Sequence, residues 1–181
     1  MNTHGILSEP GTLRFQRTLP GPIERVWHHL VDPDKRRLWL AAGPLDARVG
    51  GVVELVFRNA ELSYNDDRAP EKYCEHENSG TTHGIVTRCD PPRLLAFTWR
   101  DTPGASDSDS EVTFELAPDG DQVRLTLTHR RLAAGAETLS VAGGWHTHLW
   151  LLEDVLAGRE PRPFWRTHTL VEAEYAALGL G

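Results

Sequence analysis

Residues 139–157 read LSVAGGWHTHLWLLEDVLA, and this stretch decides the fold. Its large apolar residues recur every three or four positions, which is the spacing of a single helical stripe. Gly158 follows at the position where a residue in the left-handed conformation commonly ends a helix. The segment therefore predicts one long helix whose apolar face must be covered by another element. The stripe consists of Val141, Trp145, Leu149, Leu152 and Leu156.

Gly143 and Gly144 stand in the N-terminal part of this helix. A glycine in a helix interior costs about 1 kcal/mol relative to alanine, so the pair needs a structural reason. Three explanations fit the sequence: a close approach to the sheet or to a pair of short helices that follows the first strand, a flexible gate, or a helix that begins only at Gly144.

The residues before this helix alternate between apolar and polar side chains in several short runs, the pattern of half-buried strands. In the first run, 13–19, Arg17 is an unexpected charge on the apolar face. Short connections predict that consecutive strands pair antiparallel, with a hairpin turn at Gly50-Gly51. The further predicted strands cover 46–49, 52–58, 83–89, 93–100, 111–116 and 122–129.

Two short helices are predicted between the first and second strands. The first, 22–31, has Pro22 at its first position, and the second, from 33 to about 39, has Asp32 as its N-cap. A last helix near 167–178 shows a weaker apolar stripe of Leu170, Ala173 and Ala177. The order of these elements predicts an α+β fold.

The length of 181 residues suits one domain, 1–181, which divides into a core, 12–158, and a C-terminal helical extension, 159–181. The formal net charge of −7 would repel a phosphate backbone, so nucleic acid is not an expected partner. The sequence has neither a signal-peptide pattern nor an apolar run of membrane-spanning length, which predicts a cytoplasmic protein without a membrane span.

Cys74 and Cys89 are the two cysteines, and without a secretion signal we expect them to be free thiols. With His76 and His83 they form the one local group of soft metal ligands. Their spacing matches no closed zinc pattern, so no metal site is expected. The sequence also lacks a phosphate-binding glycine loop, and no cofactor is expected.

Five segments, taken together and in this order, point to a known family. They are RTLPGPIERVWHHLVDP, GGVVELVF, GIVTRCDPPRLLAFTW, LTLTH and GGWHTHLWLLEDVLAG. From about Leu13 to Leu178 the chain resembles the SRPBCC superfamily of START-like domains, and within it the bacterial proteins related to the Hsp90 ATPase activator homologue. The resemblance implies a helix-grip (START/Bet v 1-like) fold. In that fold a curved antiparallel sheet of six to seven strands surrounds a long C-terminal helix, and two short helices follow the first strand.

The resemblance also implies a pocket between the sheet and the long helix. Strand parity and the helical stripe supply the side chains that would line it, and many of these are aromatic, a type that stacks well on planar ligands. Plain core packing would explain the same residues. The candidates are Arg17, Trp27, Trp39, Phe57, Phe97, Trp99, Phe114, Leu127, His129, Trp145, His146, Leu149 and Leu152.

Three of these candidates are polar, and two interpretations are open for each of them. Arg17 and His129, on inward strand faces, could together orient a ligand carboxylate or carbonyl, or each could be satisfied by a structural partner. His146 stands at the edge of the helical stripe and faces either the pocket or solvent. The segment 59–81 has no sustained period and is either a lid over the pocket or a surface insertion.

The sequence favours the binding of a small hydrophobic molecule, aromatic or lipid-like, over two alternatives. The first is a cyclase or hydrolase that uses His129 or His146 as acid or base with Arg17 as oxyanion partner. The second is a stress- or chaperone-related interaction module, which would need an apolar patch on the outer face of the sheet. No residue pattern assigns a catalytic role, and the sequence does not decide between a monomer and a homodimer.

Overall fold

A computed structural model describes residues 4–62, 67–76, 80–100, 110–133 and 135–179. Its α-helices are α1 (Ile23–Val31), α2 (Pro33–Arg36), α3 (Ala136–Leu156) and α4 (Phe164–Ala177). Two 3₁₀-helices cover Asn59–Leu62 and Glu71–His76. The strands are β1 (Ile6–Glu9), β2 (Thr12–Pro20), β3 (Val52–Phe57), β4 (Gly80–Asp90), β5 (Leu94–Trp99), β6 (Ser110–Asp119) and β7 (Gln122–Arg130).

The seven strands of the described residues form one antiparallel sheet in the order β1-β2-β7-β6-β5-β4-β3. β2 pairs with β7 along its whole length, from Thr12 opposite Arg130 to Pro20 opposite Gln122. The strands from β3 to β7 each pair with the next one along the chain, as short connections require. The curved sheet and the C-terminal helix confirm the predicted α+β, helix-grip fold.

The inner face of the sheet carries the core because strand residues alternate between the two faces. In β2, Leu13, Phe15, Arg17 and Leu19 are buried, whereas Arg14 and its alternating neighbours are exposed. The same parity buries Val53 and Leu55 in β3 and the odd-numbered residues from Val123 to His129 in β7, where Thr126 is buried as well. The inward face predicted for these strands is confirmed.

Helix α3 lies between two layers, with β2 and the inner face of the sheet on one side and α4 on the other. Trp145, Leu149, Leu152 and Leu156 are all buried, as the helical stripe predicts. Gly158 has φ of +66° and ends the helix in the left-handed conformation. Among the described residues, no helix combines the length and apolar character needed to cross a membrane.

The structure differs from the sequence-based expectations at three element positions. Residues 46–49 form no strand, and only an isolated bridge joins Leu45 to Val53, so Gly50-Gly51 does not connect a regular hairpin. β1 was not predicted, because its four residues are all exposed and show no alternation. Helix α3 begins at Ala136, which excludes a helix start at Gly144.

Helix α4 begins earlier than predicted and buries a different face. Its predicted stripe, Leu170 with Ala173 and Ala177, faces solvent, and Leu170 is 63% exposed. The buried face instead carries aromatic, polar and apolar side chains. An apolar stripe at helical spacing does not identify such a face, because several of its residues are polar. They are Phe164, Trp165, Thr167, His168, Val171 and Tyr175.

The two short helices are held by one buried arginine. Asp32 caps α2 as predicted, accepting hydrogen bonds from the amides of Asp34 and Lys35. Arg36 is 1% exposed, and its guanidinium donates to four backbone carbonyls. A planar guanidinium with five donors can satisfy such a set, whereas a lysine cannot. The acceptors are the carbonyls of Leu30, Val31, Ala41 and Gly43.

We predict that Arg36→Met lowers the free energy of unfolding by at least about 2 kcal/mol, because it leaves several buried carbonyls without donors. The neighbouring Arg37 is exposed, so Arg37→Met is the matched control and should change stability by less than about 0.5 kcal/mol. Urea denaturation of both variants measures the difference. Equal stability of the two variants would contradict the role assigned to Arg36.

Candidate ligand cavity

A cavity of about 420 Å³ lies under the N-terminal half of α3, at one end of the strands of the sheet. Strands β3, β5 and β7 run in the same direction, so their C-terminal ends all lie at this end. Each contributes a residue from its end: Phe57, Trp99 and His129. The other lining residues are Leu40, Asn59, Lys72, Tyr73, Ser140, Val141, Gly144, Trp145, His148, Phe164, Trp165 and His168.

Aromatic rings form a nearly continuous wall around this cavity. On the sheet side, the ring of Trp99 lies 5.8 Å from that of Phe57 and 5.4 Å from that of Trp145, measured between centroids. On the helix side, the ring of Phe164 lies 4.9 Å from those of both His148 and Trp165. Offset and edge-to-face arrangements at these separations are favourable for aromatic pairs.

The two glycines of α3 have different roles. A Cβ atom at Gly143 would lie 3.3 Å from Nε2 of His168, so this glycine allows α4 to approach α3 closely. A Cβ atom at Gly144 would meet nothing within 4 Å, and Gly144 lines the cavity. Close approach therefore accounts for Gly143, but the neighbour is α4 and not the sheet or the pair of short helices, while Gly144 leaves space that a side chain would fill.

Helix α4 and the segment 67–76 contribute lining residues on the side of the cavity away from the sheet. The carboxylate of Asp67 accepts hydrogen bonds from the amides of Trp165 and Arg166, at 2.9 and 2.8 Å, and so caps the N-terminus of α4. The hydroxyl of Tyr73 donates to Glu172 at 2.6 Å, and Lys72 pairs with the same carboxylate. Within the predicted 59–81 loop, the segment 67–76 is therefore attached to α4 by hydrogen bonds and an ion pair.

His129 takes part in a chain of hydrogen bonds that joins α3 to three strands. The indole N–H of Trp145 donates to Nδ1 of His129 at 3.0 Å, so the proton of the neutral ring is on Nε2. Nε2 then donates to the Ser110 hydroxyl at 2.8 Å, and that hydroxyl donates to the carbonyl of Trp99. Burial, together with the charge of Arg131, lowers the pKa of His129 to about 3. The ring is neutral at pH 7, with both nitrogens occupied.

Two other histidines line the cavity in the neutral form. Nδ1 of His148 donates to the carbonyl of Trp39 at 2.7 Å, which leaves Nε2 as an acceptor. Burial lowers the pKa of His148 to about 4, although the bond to Trp39 opposes the shift. Burial also lowers the pKa of His168, with the charge of Glu172 opposing.

Three polar atoms on lining residues are buried and have no hydrogen-bond partner among the described residues. They are Oδ1 of Asn59, Nε1 of Trp165 and Nδ1 of His168. Trp165 and His168 are 3% and 5% exposed. Leaving a buried donor or acceptor unpaired costs about 1–3 kcal/mol, so a partner for these atoms would be favoured.

Four of the residues suggested by the sequence line the cavity: Phe57, Trp99, His129 and Trp145. The other apolar candidates are packed in the core and do not line it. Phe97 and Phe114 lie behind the wall, with ring centroids 6.4 Å from Trp99 and 5.7 Å from Trp145 respectively. The remaining core residues of this set are Trp27, Trp39, Leu127, Leu149 and Leu152.

Of the two interpretations of Arg17 and His129, the one in which both residues meet at one end of the pocket is wrong. Arg17 lies opposite Leu125, four residues along β7 from His129, a distance of about 13 Å on a strand. Its Nε lies 3.2 Å from a carboxylate oxygen of Glu153, and its guanidinium donates to the carbonyl of Gln16. Arg17 therefore pairs with Glu153 and with a backbone carbonyl, as the alternative interpretation proposes, although its Nε and Nη2 have no hydrogen-bond partner within the described residues.

His146 also faces away from the cavity. It is fully buried and its Nδ1 lies 2.9 Å from the hydroxyl of Tyr175, which accepts a hydrogen bond from the amide of Gly5. Burial, with the charges of Arg17 and other neighbours, lowers the pKa of His146 to about 3. Neither Arg17 nor His146 can act on a molecule in the cavity.

The side chains that sequence reasoning missed lie mostly in α4 and in the loop before β4. Tyr73, Phe164, Trp165 and His168 come from segments far from the strand pattern, and only the folded chain brings them to the cavity. One signal was available for His148, which stands one helical turn after Gly144 and three residues after Trp145.

The local group of soft ligands, Cys74, His76, His83 and Cys89, is only partly covered by the described side chains. Among the described residues no three His, Cys, Asp or Glu side chains could hold a metal ion together. Cys74 is an exposed free thiol, and Cys89 is a half-buried one. The side chain of His76 lies outside the described residues.

The buried histidines predict a stability that falls in mild acid. Below pH 6.5 the unfolded chain binds protons on these rings, whereas the folded rings, with pKa values of about 3 to 4, do not. Each of the three should therefore lower the free energy of unfolding by about 2 kcal/mol between pH 7 and pH 5. Urea denaturation at both values measures this loss.

His148→Asn tests the contribution of one histidine, because an asparagine amide can still donate to the carbonyl of Trp39 but does not titrate. The loss of stability between pH 7 and pH 5 should shrink by about 2 kcal/mol in this variant. A variant with the pH dependence of the unmodified protein would refute the assignment.

Comparison with known structures places this geometry among related proteins. The solution NMR structure of the protein encoded by gene BPP1335 from Bordetella parapertussis is 47% identical, with a TM-score of 0.78. The match covers 97% of this chain and 90% of that one. No curated protein matches the chain.

Two more distant structures share the fold. CalU16 from Micromonospora echinospora is 23% identical over 92% of this chain and 87% of that one, with a TM-score of 0.63. DynU16, from the dynemicin biosynthetic locus, is 18% identical over 86% of this chain and 51% of that one, with a TM-score of 0.62. A family model described as Activator of Hsp90 ATPase homolog 1-like protein matches residues 20–157. This chain belongs to the family of Activator of Hsp90 ATPase homolog 1-like proteins.

Proposed function

We propose that this protein binds a small, largely apolar and aromatic molecule in the cavity between the sheet, α3 and α4. The observation that carries the proposal is a cavity of about 420 Å³ with an aromatic wall, because ligand sites are usually apolar clefts of roughly 300–1,000 Å³. A core built only for stability would fill such a volume, since interiors are close-packed. Gly144 supports the proposal, because alanine there would favour the helix yet occupy part of the space.

Ligand binding is favoured over a cyclase or hydrolase activity by the state of the histidines. A general acid or base needs a pKa near the working pH and a free proton position. His129 has neither, since its pKa is about 3 and both ring nitrogens are bonded to Trp145 and Ser110. Arg17, the suggested oxyanion partner, is paired with Glu153 elsewhere.

The relatives support the same proposal at the level of the fold. DynU16 shares the architecture and belongs to a biosynthetic locus, a setting that suits a protein that handles a small molecule. Fold likeness alone does not specify a ligand, so the proposal depends on the cavity of this chain.

Binding can be tested with the neutral fluorescent probe N-phenyl-1-naphthylamine. We expect saturable binding to the unmodified protein, and at least a tenfold loss of affinity in Gly144→Leu, whose side chain would enter the cavity. Ala173→Leu makes a comparable enlargement at an exposed position of α4 and is the matched control, with unchanged affinity. Thermal unfolding checks that both variants are folded.

Two outcomes would refute the proposal. The unmodified protein could leave the probe fluorescence unchanged at concentrations up to its solubility limit. Alternatively, Gly144→Leu could bind the probe as tightly as the unmodified protein does, which would mean that the probe binds somewhere else.

The segment 67–76 should control release of the bound molecule, because Asp67 fastens it to α4. Removal of a helix cap costs about 0.5–2 kcal/mol, so Asp67→Ala should speed dissociation of the probe by about twofold to thirtyfold. Stopped-flow measurement of the dissociation rate tests this, with Glu71→Ala, an exposed carboxylate in the same segment, as control. An unchanged rate in Asp67→Ala would show that the segment does not act as a lid.

A further inference from the structure

We propose that the α4 end of the cavity, formed by Asn59, Trp165 and His168, recognises the hydroxyl group of a neutral, planar aromatic ligand. The inference rests on the proposed ligand-binding function and specifies the chemistry of the ligand. It assigns selectivity to this end of the cavity, whereas the sheet end supplies apolar contact.

The starting observation is a group of polar atoms without partners. Nε1 of Trp165, Nδ1 of His168 and Oδ1 of Asn59 are buried on cavity-lining residues, and none has a hydrogen-bond partner within the described residues. Nearly all buried polar atoms in folded proteins are hydrogen-bonded, so such a cluster at a cavity needs an explanation. A bound ligand with a polar group at this end would supply the partners.

The residues that carry these atoms belong to two elements that pack together. The rings of Trp165 and His168 have centroids 6.0 Å apart, one turn apart on α4. The 3₁₀-helix that begins at Asn59 packs against α4. Tyr73 completes the cluster, with its ring 5.8 Å from Trp165 and 5.2 Å from His168.

The types of atom identify the ligand group. The indole N–H of Trp165 only donates, and the amide oxygen of Asn59 only accepts. A hydroxyl is the smallest group that can accept from the first and donate to the second, or to Nδ1 of His168. A methyl group in its place would leave all three atoms unpaired.

The electrostatics of the cavity favour a neutral ligand. Lys72 is the one permanently charged lining side chain in the described part of the protein, and it is paired with Glu172. The pKa values of His129, His148 and His168 are all lowered by burial, so these rings are neutral near pH 7. A ligand carboxylate would enter without a compensating charge, at a considerable desolvation cost.

The arrangement of rings favours a planar ligand. Tyr73 is stacked on Trp165 with an angle of 23° between their planes, and the rings of Phe164 and His168 are also nearly parallel. These four residues line the cavity, and aromatic side chains give a planar ligand a large contact area. Trp165 and His168 lie beyond residue 157, where the match to the family model ends, so this recognition belongs to the C-terminal helix rather than to the matched part of the family.

Two probes that differ in one group test the inference. 2-Naphthol and 2-methylnaphthalene have nearly the same size and shape, but only the first carries a hydroxyl. Displacement of N-phenyl-1-naphthylamine gives the dissociation constant of each. We expect 2-naphthol to bind more tightly to the unmodified protein, and the ratio of the two constants to fall about tenfold in His168→Phe, which keeps a ring but removes the polar atoms. Leu170→Ala, at an exposed position of the same helix, should keep the original ratio.

A second readout does not depend on the folding of a variant. The indole N–H resonance of Trp165, assigned with Trp165→Phe, should move downfield when 2-naphthol binds to the ¹⁵N-labelled unmodified protein, and should not when 2-methylnaphthalene binds. This change reports a hydrogen bond to the indole, which a purely structural role of α4 would not produce.

The outcomes separate the two proposals. If N-phenyl-1-naphthylamine binds but 2-naphthol shows no preference over 2-methylnaphthalene and no downfield shift, the hydroxyl site is refuted while the binding cavity stands. If His168→Phe keeps the full preference, the role of this residue is refuted in the same way. If none of the three compounds binds, the proposed function itself fails, and the hydroxyl site fails with it.

Discussion

The burial of helix α3 on two sides is the constraint on which the rest of this structure depends. The helix must cover the inner face of a seven-stranded sheet and at the same time accept α4 on its outer side. A helix in that position needs apolar residues around most of its circumference, and the segment WHTHLWLLEDVL supplies them. The charged residues that remain, Glu153 and Asp154, are both paired, with Arg17 on the sheet and with Arg159 and Arg162 before α4.

The same constraint creates the cavity. Gly143 brings α4 within contact of α3, and Gly144, on the next position, leaves the space between the helix and the ends of β3, β5 and β7 unfilled. Gly143 therefore determines how closely α4 approaches α3, and Gly144 determines how much space remains between α3 and the sheet. The cost of two glycines in a helix interior, about 1 kcal/mol each relative to alanine, is offset by packing that a side chain would prevent.

Aromatic and histidine side chains then determine where the cavity wall has unpaired polar atoms. Trp145, His129 and Ser110 form one continuous hydrogen-bonded chain, so the polar atoms on the sheet side are satisfied and the rings are held in place. On the α4 side, Trp165 and His168 are also buried, but Nε1 of the first and Nδ1 of the second have no hydrogen-bond partner within the described residues. At the sheet end of the cavity the polar atoms have hydrogen-bond partners, whereas at the α4 end several do not. This difference is the physical basis for placing ligand selectivity at α4.

The fold class, the inward faces of the strands and the stripe of α3 could all be predicted from the sequence, because periods of two and of about three and a half residues are local properties. The sequence also placed Phe57, Trp99, His129 and Trp145 on inward faces, and these four line the cavity. It could not separate them from Phe97, Phe114 or Leu149, which share those faces, since the boundary between a filled core and a cavity depends on how closely the layers pack. Only the tertiary structure showed that Arg17 and His129 lie apart and that Tyr73, Trp165 and His168 complete the site. Contacts between segments some hundred residues apart follow from packing in three dimensions, and no local pattern records them.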